Sequence, residues 1–200
     1  AGLNWHWDET LYGQLLAVTG GKERIQYYLD NFHTQCGTTR EAQLTIAKLH
    51  AAKTRHYRTI LQQQTIGLRP GVQRLITELK SEGIRLAIAT TTTPENVTAL
   101  VTATLGEAAL QWFDYIAAGD MVPAKKPAAD IFNLCLQQLD LVATDCLVIE
   151  DSANGLLAAR SAGLTTLITA NGYTLDEDFH GAICVLDQLG EPGLPATVLA

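Results

Sequence analysis

Two short apolar runs that end abruptly in polar residues constrain the fold of this chain more than any other feature. One run ends at Thr90, the other ends at Glu150 and Asp151, and Lys126 stands before Pro127 between them. Short runs that are apolar on both faces are typical of buried strands in a parallel sheet. The carboxyl ends of such strands lie at one edge of the sheet, where ligands bind. The sequence therefore predicts that a hydroxyl, an ammonium and two carboxylates meet at this edge, as a site for a phosphoryl group requires.

Strand-length apolar runs alternate with helical patterns from about Gly67 onward. We expect strands over 84–89, 115–118, 146–149 and 164–169, and helices over 72–83, 94–105, 128–139 and 153–162. Because parallel strands need long crossover connections, this alternation is typical of a parallel sheet with helices on both faces. The predicted fold class is α/β, with a doubly wound parallel sheet.

The first 66 residues show helical spacing and no convincing strand. Ile25, Leu29 and Phe32 recur at the helical period, and a longer pattern marks one face of a long helix. The residues expected on that face are Leu44, Ala47, Ala51 and Leu61. We therefore expect an α-helical domain over 1–66 that leads into an α/β domain over 67–200.

Composition excludes several classes of partner. The formal net charge is −7 and the isoelectric point is near 5.1, whereas a surface for nucleic acid needs clustered Lys and Arg. No apolar stretch reaches the length of a membrane span, and no signal peptide is visible. The cysteines are widely spaced, which favours reduced thiols in a cytoplasm-like compartment. They are Cys36, Cys135, Cys146 and Cys184.

The hydroxyl and the ammonium each have an ordinary structural explanation as well. Thr90 precedes a helix that starts at Pro94, so its hydroxyl and the free N–H groups there can bind a phosphate. Alternatively, Thr90 belongs to a polar loop with a helix cap. Lys126 opens a helix, where a cation is unfavourable unless an anion neutralises it. The alternative is that Lys125 and Lys126 form a solvated pair on a loop.

The two adjacent carboxylates are the most specific of the three indications of a phosphoryl-binding site. Glu150 and Asp151 repel one another at the mouth of a buried strand unless a positive group lies between them, and their hard oxygens suit Mg²⁺. They can instead form an acidic loop that helps to cap the next helix, beside Ser152. A metal-free arrangement, with Asp151 paired to Lys126, is a further alternative.

Taken in order, with a βα unit between each, these residues resemble the motifs of the haloacid dehalogenase superfamily of phosphohydrolases. Thr90 matches the second motif, Lys126 the third, and Glu150 and Asp151 the fourth. The Glu-Asp-Ser-x-x-Gly run from Glu150 is similar to the subgroup that contains β-phosphoglucomutase. The resemblance implies an α/β core under an α-helical cap. It also implies that Lys126 and Thr90 are catalytic and that Glu150 and Asp151 hold Mg²⁺.

Stretches of the helical part resemble the CbbY-type proteins, which are phosphatases of xylulose-1,5-bisphosphate. The matches are Trp-His-Trp-Asp from Trp5, Val-Thr-Gly-Gly-Lys-Glu-Arg from Val18 and four threonines from Thr90. The resemblance implies that cationic cap residues hold the distal part of the substrate, although a solvated helix face is the alternative. The residues it assigns to substrate binding are Thr91, Lys22, Arg24 and Lys53.

The resemblance further implies a phosphorylated sugar as the small-molecule partner, with xylulose-1,5-bisphosphate as the first choice. A sugar phosphomutase of the β-phosphoglucomutase type is the alternative, because it shares the same core. We expect a monomer that binds neither nucleic acid nor membrane. We expect it in the cytoplasm, with a plastid stroma as the alternative.

One family motif is absent from this chain. The resemblance implies an Asp-x-Asp-Gly-Thr run on the central strand, whose first Asp attacks phosphorus and whose second Asp is the general acid and base. The 200 residues contain no such run. We therefore expect that the natural protein begins a few dozen residues earlier, and that this chain alone has low stability and negligible phosphatase activity. The alternative is an inactive homologue that binds phosphate and metal in a regulatory role.

Overall fold

The computed structural model describes residues 5–32, 40–63 and 66–200, so Cys36 lies outside the described residues. The described elements alternate in the order expected for an α/β protein that follows a helical segment. The helices are α1 (Glu9–Leu15), α2 (Gly21–Phe32), α3 (Arg40–Gln62), α4 (Val72–Ser81), α5 (Pro94–Leu105), α6 (Asp130–Leu139) and α7 (Ala153–Ser161). The strands are β1 (Ala87–Thr90), β2 (Tyr115–Ala118), β3 (Leu147–Glu150), β4 (Thr165–Thr169) and β5 (Cys184–Leu186).

Helices α2 and α3 pack around a small apolar cluster of their own. Ile25 and Leu29 of α2 are buried against Ile46 of α3, with Trp5 and Trp7 at the edge of the cluster. This arrangement agrees with the helical character predicted for the first third of the chain. The boundary at residue 66 stays a prediction.

The predicted buried face of α3 was wrong. Leu44 is 56% exposed, and of the four residues expected on that face only Leu61 is buried. The face that meets α2 passes through Ile46 instead. Two residues correspond to about 200° around a helix, so a misassignment by two positions selects the opposite side. Phe32, which shares the helical spacing of Ile25 and Leu29, is 48% exposed at the end of α2.

The elements predicted for the α/β part are confirmed, with small shifts at their ends. The largest shift is at β1, which begins at Ala87 rather than at Ile84. The amide of Ile84 is used to close α4, because it donates to the backbone oxygen of Leu79 over 2.9 Å. Gly83 makes this turn possible with a φ of 71°. Strand β5, of three residues, was not predicted.

The described strands form two parallel groups. Strand β1 pairs with β2, and β3 pairs with β4, which pairs with β5. Within the described residues, no strand lies between β1 and β3. Leu147 and Ile149 on β3, the edge strand of its group, are 56% and 40% exposed, although the strands of a covered parallel sheet normally bury such side chains. These features confirm the predicted α/β fold without its central strand.

None of the helices in the described part of the chain is both long enough and apolar enough to span a membrane. Cys135, Cys146 and Cys184 are free thiols, as expected. Burial raises the pKa of the Cys135 thiol to about 11.

Candidate phosphate-binding site

The carboxyl ends of β1 and β3 are joined by one ammonium group. Lys126 donates to the backbone oxygen of Ala89 on β1 over 3.0 Å, and it forms an ion pair with the carboxylate of Glu150 on β3. Both charged side chains are only about one tenth exposed. Thr90 directly follows Ala89 and Asp151 directly follows Glu150. The structure therefore brings the three predicted positions to one edge of the fold.

The run Lys-Pro-Ala-x-Asp-Ile-Phe, from Lys126 to Phe132, explains how the side chain of Lys126 is held in place. Asp130 accepts from the amide of Ala124 over 3.3 Å, which ties the loop before the helix to the first turn of α6. Ile131 anchors α6 in the apolar core, with 1% of its surface exposed. The ammonium of Lys126 lies 4.9 Å from the centre of the Phe132 ring, at a distance that allows a favourable cation–π contact.

Local contacts also explain the residue types in the Glu-Asp-Ser-x-x-Gly run that begins at Glu150. Ser152 caps α7 by accepting from the amide of Gly155 over 3.2 Å. A Cβ on Gly155 would collide with the carboxylate of Glu150, so only glycine leaves room for this side chain. Burial raises the pKa of Glu150, while the nearby charge of Lys126 and its hydrogen bond act in the opposite direction.

Asp151 stands apart from the buried ion pair. Its carboxylate is exposed and accepts from the side-chain amide of Asn171 over 3.3 Å. The partner of Lys126 is thus Glu150, and the alternative pairing with Asp151 was wrong. Asp151 leaves oxygen lone pairs free for a hard cation.

The carboxylates of Glu150 and Asp151 provide only part of a Mg²⁺ site. In the part of the chain that the structure describes, no group of three His, Cys, Asp or Glu residues could hold a metal ion. Glu150 is engaged with Lys126, which leaves Asp151 as the one freely placed carboxylate of the predicted pair. Because Mg²⁺ prefers six oxygen ligands, these residues fall short of holding the ion by themselves.

The threonine loop after β1 forms a turn that keeps one hydroxyl hydrogen available. The Oγ1 atom of Thr90 accepts from the amide of Thr92 over 3.2 Å, so its O–H group remains a donor. Thr92 in turn accepts from the side chain of Asn96 over 3.0 Å. Thr91 lies half-buried in the same turn. The loop leads into α5, whose first residue is Pro94.

Lys22, at the start of α2, connects the helical part to the α/β part. Its ammonium lies 2.8 Å from one carboxylate oxygen of Asp120, while Lys125 lies 2.8 Å from the other. Hydrogen bonds from Lys125 and then from Lys22 lower the pKa of Asp120 to about 2. Asp120 follows β2, in which Ala118 is the partner of Thr90 in the register. Lys22 therefore lies near the same edge of the sheet as the threonine loop.

Arg24 has mainly structural contacts. Its guanidinium donates to the backbone oxygens of Leu15 and Val18 over 3.1 to 3.2 Å and lies 5.5 Å from the centre of the Tyr12 ring. These bonds fix the end of α1 to the beginning of α2. A role for Arg24 in binding substrate stays a prediction.

Lys53, the last of the predicted cap residues, lies over the beginning of α2. Its ammonium is 3.7 Å from the point where a Cβ of Gly21 would stand. Burial and the charge of Arg24 lower the pKa of Lys53. Within the described residues, it has no acidic partner at ion-pair distance. Its role in binding substrate also stays a prediction.

Two polar residues near the site were missed by the sequence reasoning. Asp120 follows β2 and Asn171 follows β4, so both lie at the same strand ends as Thr90 and Asp151. Each comes two residues after its strand, behind Gly119 and Ala170, so a search limited to the residue directly after a strand does not find it.

The pattern of the haloacid dehalogenase-like hydrolases matches residues 4–163. The chain belongs to this family. This hydrolase is 45% identical to the protein CbbY of Cupriavidus necator over 97% of the chain and 76% of that protein. It is 46% identical to the protein CbbY of Cereibacter sphaeroides over 96% of the chain and 81% of that protein.

Solved structures agree with the family. The crystal structure of CbbY from Rhodobacter sphaeroides in complex with phosphate superposes with a TM-score of 0.86 at 44% identity, over 95% of the chain and 82% of the other. A mutant of that protein, in complex with xylulose-1,5-bisphosphate, superposes with a TM-score of 0.87 at 46% identity, over 96% and 83%. These similarities confirm that this hydrolase is of the CbbY type.

Proposed function

We propose that this hydrolase is built as a Mg²⁺-dependent sugar-phosphate phosphatase whose substrate is xylulose-1,5-bisphosphate. The observation that carries the proposal is the buried ammonium of Lys126, held between the carboxyl ends of β1 and β3 beside Thr90 and Asp151. The relatives supply the substrate class, because a CbbY structure at 46% identity contains that bisphosphate.

Lys126 and Thr90 bind the phosphoryl group in this proposal. An ammonium that is fixed by Ala89 and Glu150 needs no rearrangement to neutralise phosphoryl oxygens, and fixed charge of this kind is the main contribution a protein makes to phosphoryl transfer. The hydroxyl of Thr90 supplies a hydrogen bond to the same group. The cap residues Lys22, Arg24 and Lys53 hold the remote part of the sugar.

Asp151 would supply one oxygen ligand to Mg²⁺, and the family's Asp-x-Asp run would help to hold the ion. When bound, the ion neutralises negative charge on the phosphoryl group. The same Asp-x-Asp run provides the nucleophile, and the 200 residues do not contain it. The proposal therefore includes negligible turnover by these residues alone.

An inactive homologue that binds phosphate and metal is the second candidate, favoured by the missing run. Adding a strand that ends in the family's Asp-x-Asp-Gly-Thr run to the amino end of the chain distinguishes the two candidate functions. We expect the extended protein to release inorganic phosphate from xylulose-1,5-bisphosphate in the presence of Mg²⁺. The control replaces the first Asp of the added run by Asn.

The product of the extended protein also separates a phosphatase from a phosphomutase. Inorganic phosphate in amounts equal to substrate consumed supports the phosphatase. An isomeric sugar phosphate without phosphate release would support the mutase. An extended, folded protein that does neither would contradict the proposed function.

A further inference from the structure

A buried carboxamide lies behind the threonine loop. Asn96, the third residue of α5, is only 3% exposed, and its Nδ2 atom donates to Oγ1 of Thr92 over 3.0 Å. The backbone amide of Thr92 donates in turn to Oγ1 of Thr90 over 3.2 Å. Thr92 therefore connects the side chain of Asn96 to the hydroxyl of Thr90.

The usual contact between a loop and the start of a helix is replaced at α5. Thr93 occupies the N-cap position, where a threonine side chain normally accepts from an amide of the first turn. Among the described residues, the Oγ1 atom of Thr93 has no hydrogen-bond partner. The third residue of the helix reaches back to the loop instead, so the bond from Asn96 to Thr92 joins the threonine loop to α5.

Asn96 is not an optimal residue for the stability of the fold. Its Oδ1 atom is buried, and in the part of the chain that the structure describes it has no hydrogen-bond partner. A buried polar atom without a partner destabilises a folded protein. An apolar side chain of the same branched shape, such as leucine, would avoid this penalty. The carboxamide at this position therefore points to a role other than stability.

We propose that Asn96 is a positioning residue for phosphate binding, which acts on the hydroxyl of Thr90 through Thr92. The inference rests on the proposed function, because it adds a residue to the site of Thr90 and Lys126. The bond from the Thr92 amide uses a lone pair of Thr90 Oγ1, which limits the directions left to its hydrogen. A donor that is ordered before the ligand arrives binds it more tightly than one that must be ordered on binding.

Binding of inorganic phosphate to the 200-residue chain tests this role without turnover. We expect Asn96→Leu to weaken phosphate binding about fivefold, as the loss of one well-ordered neutral hydrogen bond requires. The urea concentration at the midpoint of unfolding should not fall, because the unpartnered Oδ1 atom is removed. A purely structural role predicts the opposite, a lower midpoint. Asn133→Leu, at an exposed position on α6, is the matched control for phosphate binding.

Two variants of Thr92 test the connection to Thr90 from the other side. Thr92→Val removes the oxygen that accepts from Asn96, and it should weaken phosphate binding as Asn96→Leu does. Thr92→Ser keeps this oxygen and should restore the wild-type affinity. Thr98→Val, at an exposed position on α5, is the control for the change of threonine to valine.

A double-mutant cycle shows whether Asn96 acts through the hydroxyl of Thr90. Thr90→Val removes that hydroxyl, so adding Asn96→Leu to it should weaken phosphate binding by less than about 1.5-fold. Additive losses, or wild-type affinity in Asn96→Leu alone, would overturn the positioning role. Weaker binding together with a lower urea midpoint would also overturn it, in favour of a structural role. If the wild-type chain binds no phosphate, the proposed function is contradicted, and the role of Asn96 with it.

Discussion

The ammonium of Lys126 and the carboxylate of Glu150 form a buried ion pair between two strands that are not neighbours in the described sheet. Each charge compensates the desolvation of the other. The pair also fixes the ammonium at the edge where Thr90 and Asp151 lie. Stability and phosphate binding are therefore linked through the same side chain.

Replacing Lys126 by Met should be strongly destabilising. It leaves the Glu150 carboxylate buried without a partner, a change that costs about 3–5 kcal/mol. Urea denaturation should show this loss in the free energy of unfolding, or no cooperative transition. Lys80→Met, an exposed position on α4, should stay within about 0.5 kcal/mol. If Lys126→Met unfolds like the wild type, the pair does not stabilise the fold.

Replacing Gly155 by Ala should disturb the ion pair of Lys126 and Glu150 through the carboxylate partner. The added Cβ would collide with the Glu150 carboxylate, so that carboxylate has to shift from its position beside Lys126. We expect a loss of about 1–3 kcal/mol in the free energy of unfolding, as for other overpacked sites. Gly172→Ala, which meets no atom within 4 Å, is the comparison. Equal stabilities of the two variants would refute the close contact.

The pKa of Asp120 reports the contact between Lys22 and the α/β part. We expect a carboxyl titration by NMR to give a pKa of about 2. Because the folded pKa lies below the unfolded one, the contribution to stability is present above about pH 4 and is lost as pH falls towards 2. Lys125→Met should raise this pKa more than Lys22→Met, since the bond from Lys125 is the largest cause.

The energy of the Lys22–Asp120 contact is small. Its side chains are 49% and 69% exposed, so it contributes at most about 1 kcal/mol, and salt screens it. Added salt should move the Asp120 pKa upward. An ordinary pKa at low salt, in the folded protein, would mean that the contact does not form in solution.

Replacing Asp151 by Asn should change metal dependence more than substrate affinity. In the protein extended with the Asp-x-Asp-Gly-Thr strand, we expect the Mg²⁺ concentration for half-maximal activity to rise at least about tenfold, because an anionic ligand is lost. The KM for substrate should change much less. Asp178→Asn, in an exposed loop, is the control. An unaltered Mg²⁺ requirement would contradict the role of Asp151 as a ligand.

Local sequence signals predicted the elements of the α/β part well, because Pro and Gly residues mark where its helices start and end. Helix α5 starts at Pro94 and stops before Gly106, and both bounds were predicted correctly. Helix α3 lacks such signals on its faces, since alanines alternate with polar residues on several sides. Its buried side is decided by packing against α2, which a single helix cannot reveal.

The sequence likewise predicts some features of the candidate site and not others. The positions of Thr90 and Glu150 follow from strand ends and that of Lys126 from the start of the helix after Pro127, both of which the sequence shows. The choice of Glu150 rather than Asp151 as partner of Lys126 depends on which way each side chain leaves the strand, and neighbouring carboxylates look alike in sequence. The contact of Lys22 with Asp120 joins residues 98 positions apart, and no local pattern predicts it.

Titration of the 200-residue chain with inorganic phosphate, followed by proton–nitrogen correlation spectra, tests the proposed site most directly. We expect the largest shifts at the amides of Thr90, Thr91 and Lys126, with Thr90→Val weakening the binding. A folded chain that binds no phosphate, or binds it without perturbing these amides, would contradict the site.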